Sequence, residues 1–147
     1  LNQWLQAGQV EKIYQAKVLS ATDSLPTLGL WRHFMHPSPR CPKILSQEEK
    51  PGWKLCELSV LEARPLSDGA RIFELDIRLL TGRTHQIRAQ LAQEGFLILG
   101  DQLYGCRLDA AGQPTEWPLY RQNSEPLALR CVGLRLPGQV GLRVLGM

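Results

Sequence analysis

The sequence lacks any apolar run close to the roughly 20 residues that a membrane helix needs. Its first residues, LNQWLQAGQVEK, contain neither the basic segment nor the apolar segment of a signal peptide. We therefore expect a soluble, cytoplasmic protein that does not contact a membrane. Because the first residue is Leu1 rather than methionine, we expect a piece of a longer chain, and a targeting segment upstream would place it in an organelle.

Cysteine and histidine are also scarce, with 4 and 3 residues respectively. Cys41, Cys56, Cys106 and Cys131 form no C-x-x-C pair, and no histidine lies at the short spacing that a zinc site favours. The sequence therefore predicts no structural metal. Reduced, mostly buried thiols are the first interpretation, and a disulfide is the alternative.

Composition is that of an ordinary globular domain, with 44% hydrophobic and 21% charged residues in a chain of 147. We find no internal repeat and expect a single domain over residues 1–147. The formal net charge is only +3, but arginine and lysine are unevenly distributed. The last stretch has four arginines against one acid, Glu125. An arginine excess suits phosphate binding, and a solvated surface is the simpler explanation for any single charge.

Alternating apolar and polar residues predict several strands. The clearest pattern runs from Phe73 to Leu79, where every second residue is apolar, as in a half-buried strand of an antiparallel sheet. Similar patterns occupy residues 12–20, Leu28 to His36, and Trp53 to Ala63. A turn at 67–69 separates the strand from Trp53 to Ala63 from the strand from Phe73 to Leu79, and it predicts that these two strands form a hairpin.

Other segments are assigned from helix and loop signals. Residues 1–8 look like the end of a helix that Gly8 stops, and the proline-rich residues 37–52 look like a long loop. Together these elements predict an α+β domain with a mixed, mostly antiparallel sheet and helices packed on one side.

The stretch TGRTHQIR, which follows the clearest strand, predicts a turn and then a helix. Thr84 is placed to cap a helix that runs from His85 until Gly95 ends it, with Ile87 and Leu91 facing the core. Arg88 lies about 100 degrees round the helix from Ile87, so its side chain can emerge at the edge of the sheet. The helix N-terminus with its basic neighbours favours an anion site, and a solvated basic turn is the equally natural alternative.

The segment TGRTHQIRAQLAQEGFLILGDQLYG, from Thr81 to Gly105, resembles the most recognisable motif of the RluA-type RNA pseudouridine synthases. In that family T-G-R-T-H-Q-I-R, a helix and G-D-x-x-Y-G occur in this order. EKIYQAKV resembles the family strand that carries a lysine, a tyrosine and an alanine, and PLALRCVGLRLP resembles its closing strand. The resemblance implies a pseudouridine synthase-like fold and isomerisation of a uridine in RNA to pseudouridine, without metal or organic cofactor.

The resemblance also implies roles for particular residues. Tyr14 matches the tyrosine that packs on the flipped base and assists proton removal, although a core tyrosine would look the same. Arg88 matches the arginine that pairs with the catalytic aspartate and helps to hold the substrate. The remaining candidates for contacts with RNA are matched more loosely or by charge: Arg83, Thr84, His85, Gln86 and Lys43. We expect RNA as the partner and a monomeric protein.

The sequence departs from the family pattern in one decisive place. The family's catalytic aspartate lies in an H-R-L-D-x-x-T-S-G segment ahead of the tyrosine strand, and this chain starts too late to contain it. Asp109 lies in a similar R-L-D triplet, but it follows the G-D-x-x-Y-G segment, and we interpret it as a loop residue. Smaller departures are Ala89-Gln90, Phe96-Leu97 and Arg130. The chain alone is therefore predicted to be inactive.

Two alternatives to a synthase seen without its N-terminal part stay open. One is a catalytically inactive RNA-binding relative that is complete as given. The other is a basic domain that binds protein or a small anion and shares the motif by descent only.

Overall fold

The computed structural model describes residues 11–66, 71–101, 103–104, 107–108, 114–115 and 127–135. The helix predicted at 1–8, the turn at 67–69, Cys106 and Asp109 lie outside the described residues.

The described residues form nine strands and one α-helix. In chain order these are β1 Glu11–Ser20, β2 Gly29–Met35, β3 Leu45–Ser46, β4 Lys54–Pro65, β5 Ile72–Leu79, α1 Gln86–Gln93, β6 Phe96–Ile98, β7 Arg107–Leu108, β8 Pro114–Thr115 and β9 Leu129–Arg135. The four longer strands predicted from alternation are all present. The proline-rich segment was expected to be a loop, but it contains β3, which pairs with β2.

Seven of the strands make one sheet in the order β3-β2-β4-β5-β1-β6, with β9 also paired to β1. β4 and β5 are antiparallel neighbours, which confirms the predicted hairpin pairing. All pairings among the described strands are antiparallel, and these residues contain one short helix. The predictions of a mixed sheet and of several helices packed on it are therefore not confirmed in this part of the chain.

The core lies between one face of the sheet and α1. Cys56, Leu58 and Val60, which were predicted to share a face of β4, are each 1% exposed or less. Leu58 and Val60 pack with alternate residues of β5 and with Ile87 and Leu91 of α1, which confirms the predicted core face of the helix. Cys56 packs in a second cluster with Ala89 of α1. Period-two burial of β-branched and aliphatic side chains stabilises the sheet, and the helix closes the layer.

The turn before α1 differs from the prediction. The helix begins at Gln86, and its N-cap residue is His85, which makes no side-chain capping hydrogen bond. Thr84 is exposed and does not cap the helix. The prediction failed because the turn is held by the Gln86 side chain, whose Oε1 accepts hydrogen bonds from Thr81 Oγ1 at 2.7 Å and from the Arg83 amide at 3.0 Å.

β6 and β9 occupy successive parts of one edge of β1, and they meet at Lys17. The Lys17 carbonyl accepts a hydrogen bond from the Leu99 amide, and the Lys17 amide donates to the carbonyl of Ala128. The Ala128 amide in turn donates to the Leu99 carbonyl at 2.9 Å. This three-way backbone junction fixes where the chain leaves the sheet just before Asp101.

The described cysteines, Cys41, Cys56 and Cys131, all have free thiols. The prediction that they are mostly buried is wrong for this set, because only Cys56 is buried. Burial raises the pKa of Cys56 to about 11, so its thiol stays protonated at neutral pH. Within the described ranges, no helix is long and apolar enough to cross a membrane, and no cluster of His, Cys, Asp and Glu could hold a metal ion.

Candidate active site

A cleft of about 250 Å³ opens between β1, the end of β5 and the start of α1. It brings together both residues that were predicted to be catalytic, Tyr14 and Arg88. The other described residues that line it are Leu79, Arg83, His85, Gln86, Ile87 and Leu129. Apolar walls and a few convergent polar groups are typical of a small-ligand site, and this volume is below the roughly 300–1,000 Å³ of drug-sized ligands.

Tyr14 lies on the face of β1 that packs against the core, and its side chain is half-buried. The pairing of β1 with β9 shifts register between Ile13 and Tyr14, where Val132 of β9 is left without a partner. Such bulges twist a sheet locally and often lie beside active sites. Burial raises the pKa of Tyr14, and the nearby Cys131 thiol raises it further. The phenol is therefore protonated at neutral pH.

Arg88 forms a two-pronged ion pair with Asp101. Its Nε donates to Oδ2 and its Nη2 donates to Oδ1, each at 2.9 Å. Asp101 is 1% exposed, and its Oδ1 also accepts the backbone amides of Leu103 and Tyr104 at 3.0 Å. Burial acts to raise the pKa of Asp101, but hydrogen bonds from Arg88 and these amides outweigh it, and the pKa is lowered. The pair is therefore charged, and it fixes the orientation of the guanidinium.

Tyr104 joins this ion pair to the turn that begins α1. The guanidinium carbon of Arg88 lies 5.2 Å from the centre of the Tyr104 ring, and the His85 ring meets that ring edge-on. The Tyr104 hydroxyl accepts the Lys43 amide at 2.8 Å and lies 3.2 Å from His85 Nδ1. The hydroxyl donates to Nδ1 or accepts from it according to the tautomer of the His85 ring.

His85 has a left-handed backbone, with φ of 56°. A non-glycine residue in this region costs about 1–3 kcal/mol, and such residues cluster at functional sites. Burial, and then the nearby positive charge of Arg88, lowers the pKa of His85. The ring is therefore neutral at neutral pH.

Gln86 and Gln90 form a buried amide chain beneath the cleft. Gln86 Nε2 donates to the Glu57 carbonyl at 3.0 Å and to Gln90 Oε1 at 2.9 Å. Gln90 Nε2 in turn lies 2.9 Å from His33 Nδ1 and within 3.3 Å of two backbone carbonyls on β2 and β4. These contacts give Gln86 a structural role, because both polar atoms of its side chain form hydrogen bonds within the protein. Its contact with RNA stays a prediction.

His33 completes this chain at the buried side of α1. It is 2% exposed, and its Nε2 lies 3.0 Å from the Glu94 carboxylate. Since Gln90 Nε2 can only donate, Nδ1 of His33 must accept, and the Nε2 proton goes to Glu94. The amide chain thus runs from the surface at Glu94 to the turn at Arg83.

The other predicted RNA contacts lie around the same turn. Arg83 is exposed and lines the cleft, and its Nε donates to the Leu55 carbonyl at 3.3 Å. Thr84 is exposed but does not line the cleft. Lys43 lies in a neighbouring pocket rather than in the cleft.

Sequence reasoning missed three residues that organise the site: Asp101, Tyr104 and Gln90. Asp101 and Tyr104 are the aspartate and tyrosine of the G-D-x-x-Y-G segment, so the motif itself was the available signal. Gln90 offered no such signal, because glutamine in a helix is ordinarily exposed.

The chain is similar to one family of known proteins. The profile of the RNA pseudouridylate synthase family matches residues 1–93. RNA pseudouridine synthase 6, chloroplastic, from Arabidopsis thaliana is 37% identical over 114 residues, which cover 65% of this chain and 23% of the relative. An uncharacterized RNA pseudouridine synthase from Chloroflexus aurantiacus is 32% identical over 109 residues, covering 69% of this chain and 30% of the relative. The chain thus spans less than a third of these relatives.

Solved structures show the same fold. Human RNA Pseudouridylate Synthase Domain Containing 1 superposes with a TM-score of 0.60 at 21% identity, over 99% of this chain and 57% of that one. Human RNA Pseudouridylate Synthase Domain Containing 4 gives a TM-score of 0.64 at 17% identity, over 93% and 57%.

Proposed function

Because the chain belongs to the RNA pseudouridylate synthase family, we propose that the protein isomerises uridine in RNA to pseudouridine. In this reaction the bond between N1 of the base and C1′ of the ribose breaks, and a bond from C5 to C1′ forms. The proton on C5 leaves, and N1 gains one. An enzyme that acts on a base in RNA must first take that base out of its stack and hold it in a pocket.

The observation that carries this proposal is that Tyr14 and Arg88 line one cleft. Tyr14 supplies an aromatic face for the flipped base, and Leu79 and Leu129 supply apolar walls. The Tyr14 phenol, protonated at neutral pH, is placed to take part in moving the C5 proton.

Arg88 holds the polar side of the cleft. Asp101 uses Nε and Nη2 of the guanidinium, and within the described part of the chain Nη1 makes no protein hydrogen bond. Nη1 is therefore the nitrogen that we assign to the substrate or to an attacking carboxylate. None of the described residues that line the cleft is itself an aspartate or glutamate, so we assign the attacking carboxylate to a residue outside the described cleft.

His85, Arg83 and Thr84 are assigned supporting contacts with the RNA. The neutral His85 ring can donate from Nε2 to a carbonyl of the base, and Arg83 can meet the backbone from the rim of the cleft. Gln86 acts indirectly, through the turn that it holds.

Tritium release from RNA labelled at C5 of uridine tests the proposal. In protein expressed from its complete reading frame, we expect Arg88→Met to lower turnover at least about 100-fold, as loss of a charged group from a reaction site typically does. Arg64→Met is the matched control, because Arg64 forms ion pairs with Glu62, Glu74 and Asp76 away from the cleft. Wild-type turnover by Arg88→Met would remove Arg88 from the site.

The isolated polypeptide of residues 1–147 should release no tritium, because its described cleft supplies positioning groups but no nucleophile. A circular dichroism spectrum rich in strand must accompany this assay, so that inactivity is not misread from an unfolded chain. Turnover by this polypeptide would instead direct attention to Asp101 or Asp109.

Two further assignments belong to this proposal. We propose that the protein acts on RNA as a monomer, which light scattering of the purified protein tests. Two plant relatives are named chloroplastic, which supports an organelle over the cytoplasm. A fluorescent fusion of the complete reading frame would show which compartment it enters.

A further inference from the structure

A second pocket, of about 240 Å³, lies on the other side of the turn that carries Arg83. Arg83 lines both this pocket and the cleft, so the two share a wall. The residues that line the second pocket are Met35, His36, Pro37, Ser38, Lys43, Lys54, Gly82, Arg83 and Thr84. Three of them are cationic and none is acidic.

The three cations, Lys43, Lys54 and Arg83, form no salt bridge with any described carboxylate. Most other arginines in the described ranges are neutralised. Those paired with carboxylates are Arg32, Arg64, Arg71, Arg78 and Arg88. Like charges gathered without counterions raise the local positive potential, and an anion that binds there relieves their repulsion.

The polar groups of the pocket are predominantly hydrogen-bond donors. Lys43 Nζ donates to the Ser38 carbonyl at 3.0 Å, which leaves two of its three protons. Arg83 uses Nε on Leu55, and both of its terminal nitrogens make no protein hydrogen bond within the described residues. His36 Nδ1 accepts the Ser38 amide, which leaves Nε2 as the ring nitrogen that can donate to a ligand.

The wall that carries Lys43 and His36 is fixed to the rest of the fold. The His36 amide donates to the Ile44 carbonyl at 2.9 Å, and the His36 ring meets Trp53 edge-on at 5.0 Å. The Lys43 amide donates to the Tyr104 hydroxyl, which also contacts His85 at the cleft. The pocket is therefore held in place before a ligand arrives, which lowers the entropic cost of binding.

We propose that this pocket binds a backbone phosphate of the RNA, next to the nucleotide whose base enters the cleft. The inference rests on the proposed function, and it adds Lys54 and His36 to the RNA-binding surface. Arg83 can form a bidentate contact with one phosphate while it borders the base, so it links the position of the backbone to that of the uridine. Lys43 and Lys54 supply the remaining charge.

RNA binding by Lys54→Met and Lys43→Met variants tests this proposal, in protein expressed from its complete reading frame. The probe is a short single-stranded RNA with one uridine, in two forms: all-phosphodiester, and with single neutral methylphosphonate linkages placed in turn around the uridine. Lys17→Met is the matched control, since Lys17 is exposed on β1 and lines neither the cleft nor this pocket.

We expect each pocket variant to raise Kd for the phosphodiester RNA about tenfold at low salt, and to lower the salt slope of log K by about 0.7. When the neutral methylphosphonate is at the linkage that occupies the pocket, Lys54 has no charged phosphate to contact. Wild type and Lys54→Met should therefore bind this RNA with the same Kd. Turnover should be unchanged in the Lys17→Met control, because Lys17 lines neither the cleft nor this pocket.

The outcomes separate this proposal from the function on which it rests. If the pocket variants bind and modify RNA with wild-type Kd and salt slope, the phosphate pocket is wrong and the synthase assignment stands. If every methylphosphonate RNA still distinguishes Lys54→Met from wild type, the lysine does not act through a phosphate. Failure of the wild-type protein to bind or modify any RNA would overturn both.

Discussion

Arg88 and Asp101 face each other as a two-pronged ion pair, with both N–O distances at 2.9 Å. The arginine side chain is 20% exposed and the aspartate 1% exposed. The cleft therefore presents an arginine whose orientation is set from behind by a buried carboxylate.

Removing the arginine should destabilise the fold strongly. In Arg88→Met the buried Asp101 carboxylate keeps its two backbone amide donors but loses its counterion, and breaking a buried pair in this way typically costs about 3–5 kcal/mol. The exposed pair of Arg32 and Glu57 provides the control, since Arg32→Met should cost about 1 kcal/mol or less. Urea unfolding measures both, and equal losses in the two variants would contradict a special role for the buried pair.

The cost of losing Arg88 should depend on pH. The folded-state pKa of Asp101 is lowered, so in the wild type its stabilising contribution is complete above the unfolded value of about 3.9 and is lost as the pH falls through the folded value. Without Arg88, the hydrogen bonds that remain offset less of the increase that burial causes, so the pKa of the Asp101 carboxyl rises. The difference in unfolding free energy between wild type and Arg88→Met should therefore be largest at neutral pH and shrink towards about pH 4.

The Asp101→Asn background controls this pH dependence, because its amide does not titrate. There the effect of Arg88→Met should be the same at pH 4 and at pH 7. A pH-dependent difference that persisted in this background would assign the effect to another group.

Tyr14→Phe should separate packing from proton handling. The variant keeps the aromatic face in the cleft, so we expect Kd for RNA within about threefold of wild type. Loss of the hydroxyl should lower turnover about 100- to 10,000-fold if it takes part in moving the C5 proton. Single-turnover tritium release with saturating protein measures the step, and full turnover would leave Tyr14 with a packing role only.

The buried amide chain should contribute measurably to stability. Gln90→Leu removes the donor to His33 Nδ1 and to the carbonyls of Trp31 and Cys56, and groups left unsatisfied in this way cost about 2–4 kcal/mol in total. Gln93→Leu, on the exposed side of the same helix, should change stability by no more than about 0.5 kcal/mol. Thermal unfolding of the two variants compares them directly, and similar midpoints would mean that the chain of amides adds nothing.

The strands were predictable because burial on one face imposes a period of two, as at Phe73, Leu75 and Ile77. β3 was not, since two residues are too few to show a period. The position of α1 was predicted to within a residue or two at each end, but its cap was wrong. A left-handed His85 held by Tyr104 and by the Gln86 turn depends on contacts that local propensity does not contain.

The candidate site shows the same division. Tyr14 and Arg88 were identified by resemblance, and the structure brings them to one cleft, but their chemical roles stay predictions. Residue spacing alone could not predict that Arg88 pairs with Asp101. Asp101 reaches the arginine after a turn that its own amide closes on the Ile98 carbonyl, and the position of that turn depends on the pairing of β6 with the distant strand β1.

The junction at Lys17 bears on how much sequence the chain can carry between Leu99 and Ala128. Leu99 and Ala128 are hydrogen-bonded to each other and to Lys17, so two residues that are far apart in sequence are held at one point of the sheet. Lengthening a loop whose ends are already held together costs only about 0.6 kcal/mol per doubling of its length. Because the backbone hydrogen bonds at Lys17 hold Leu99 and Ala128 together, sequence added between these two ends should leave the pairing of β1 with β6 and β9 unchanged.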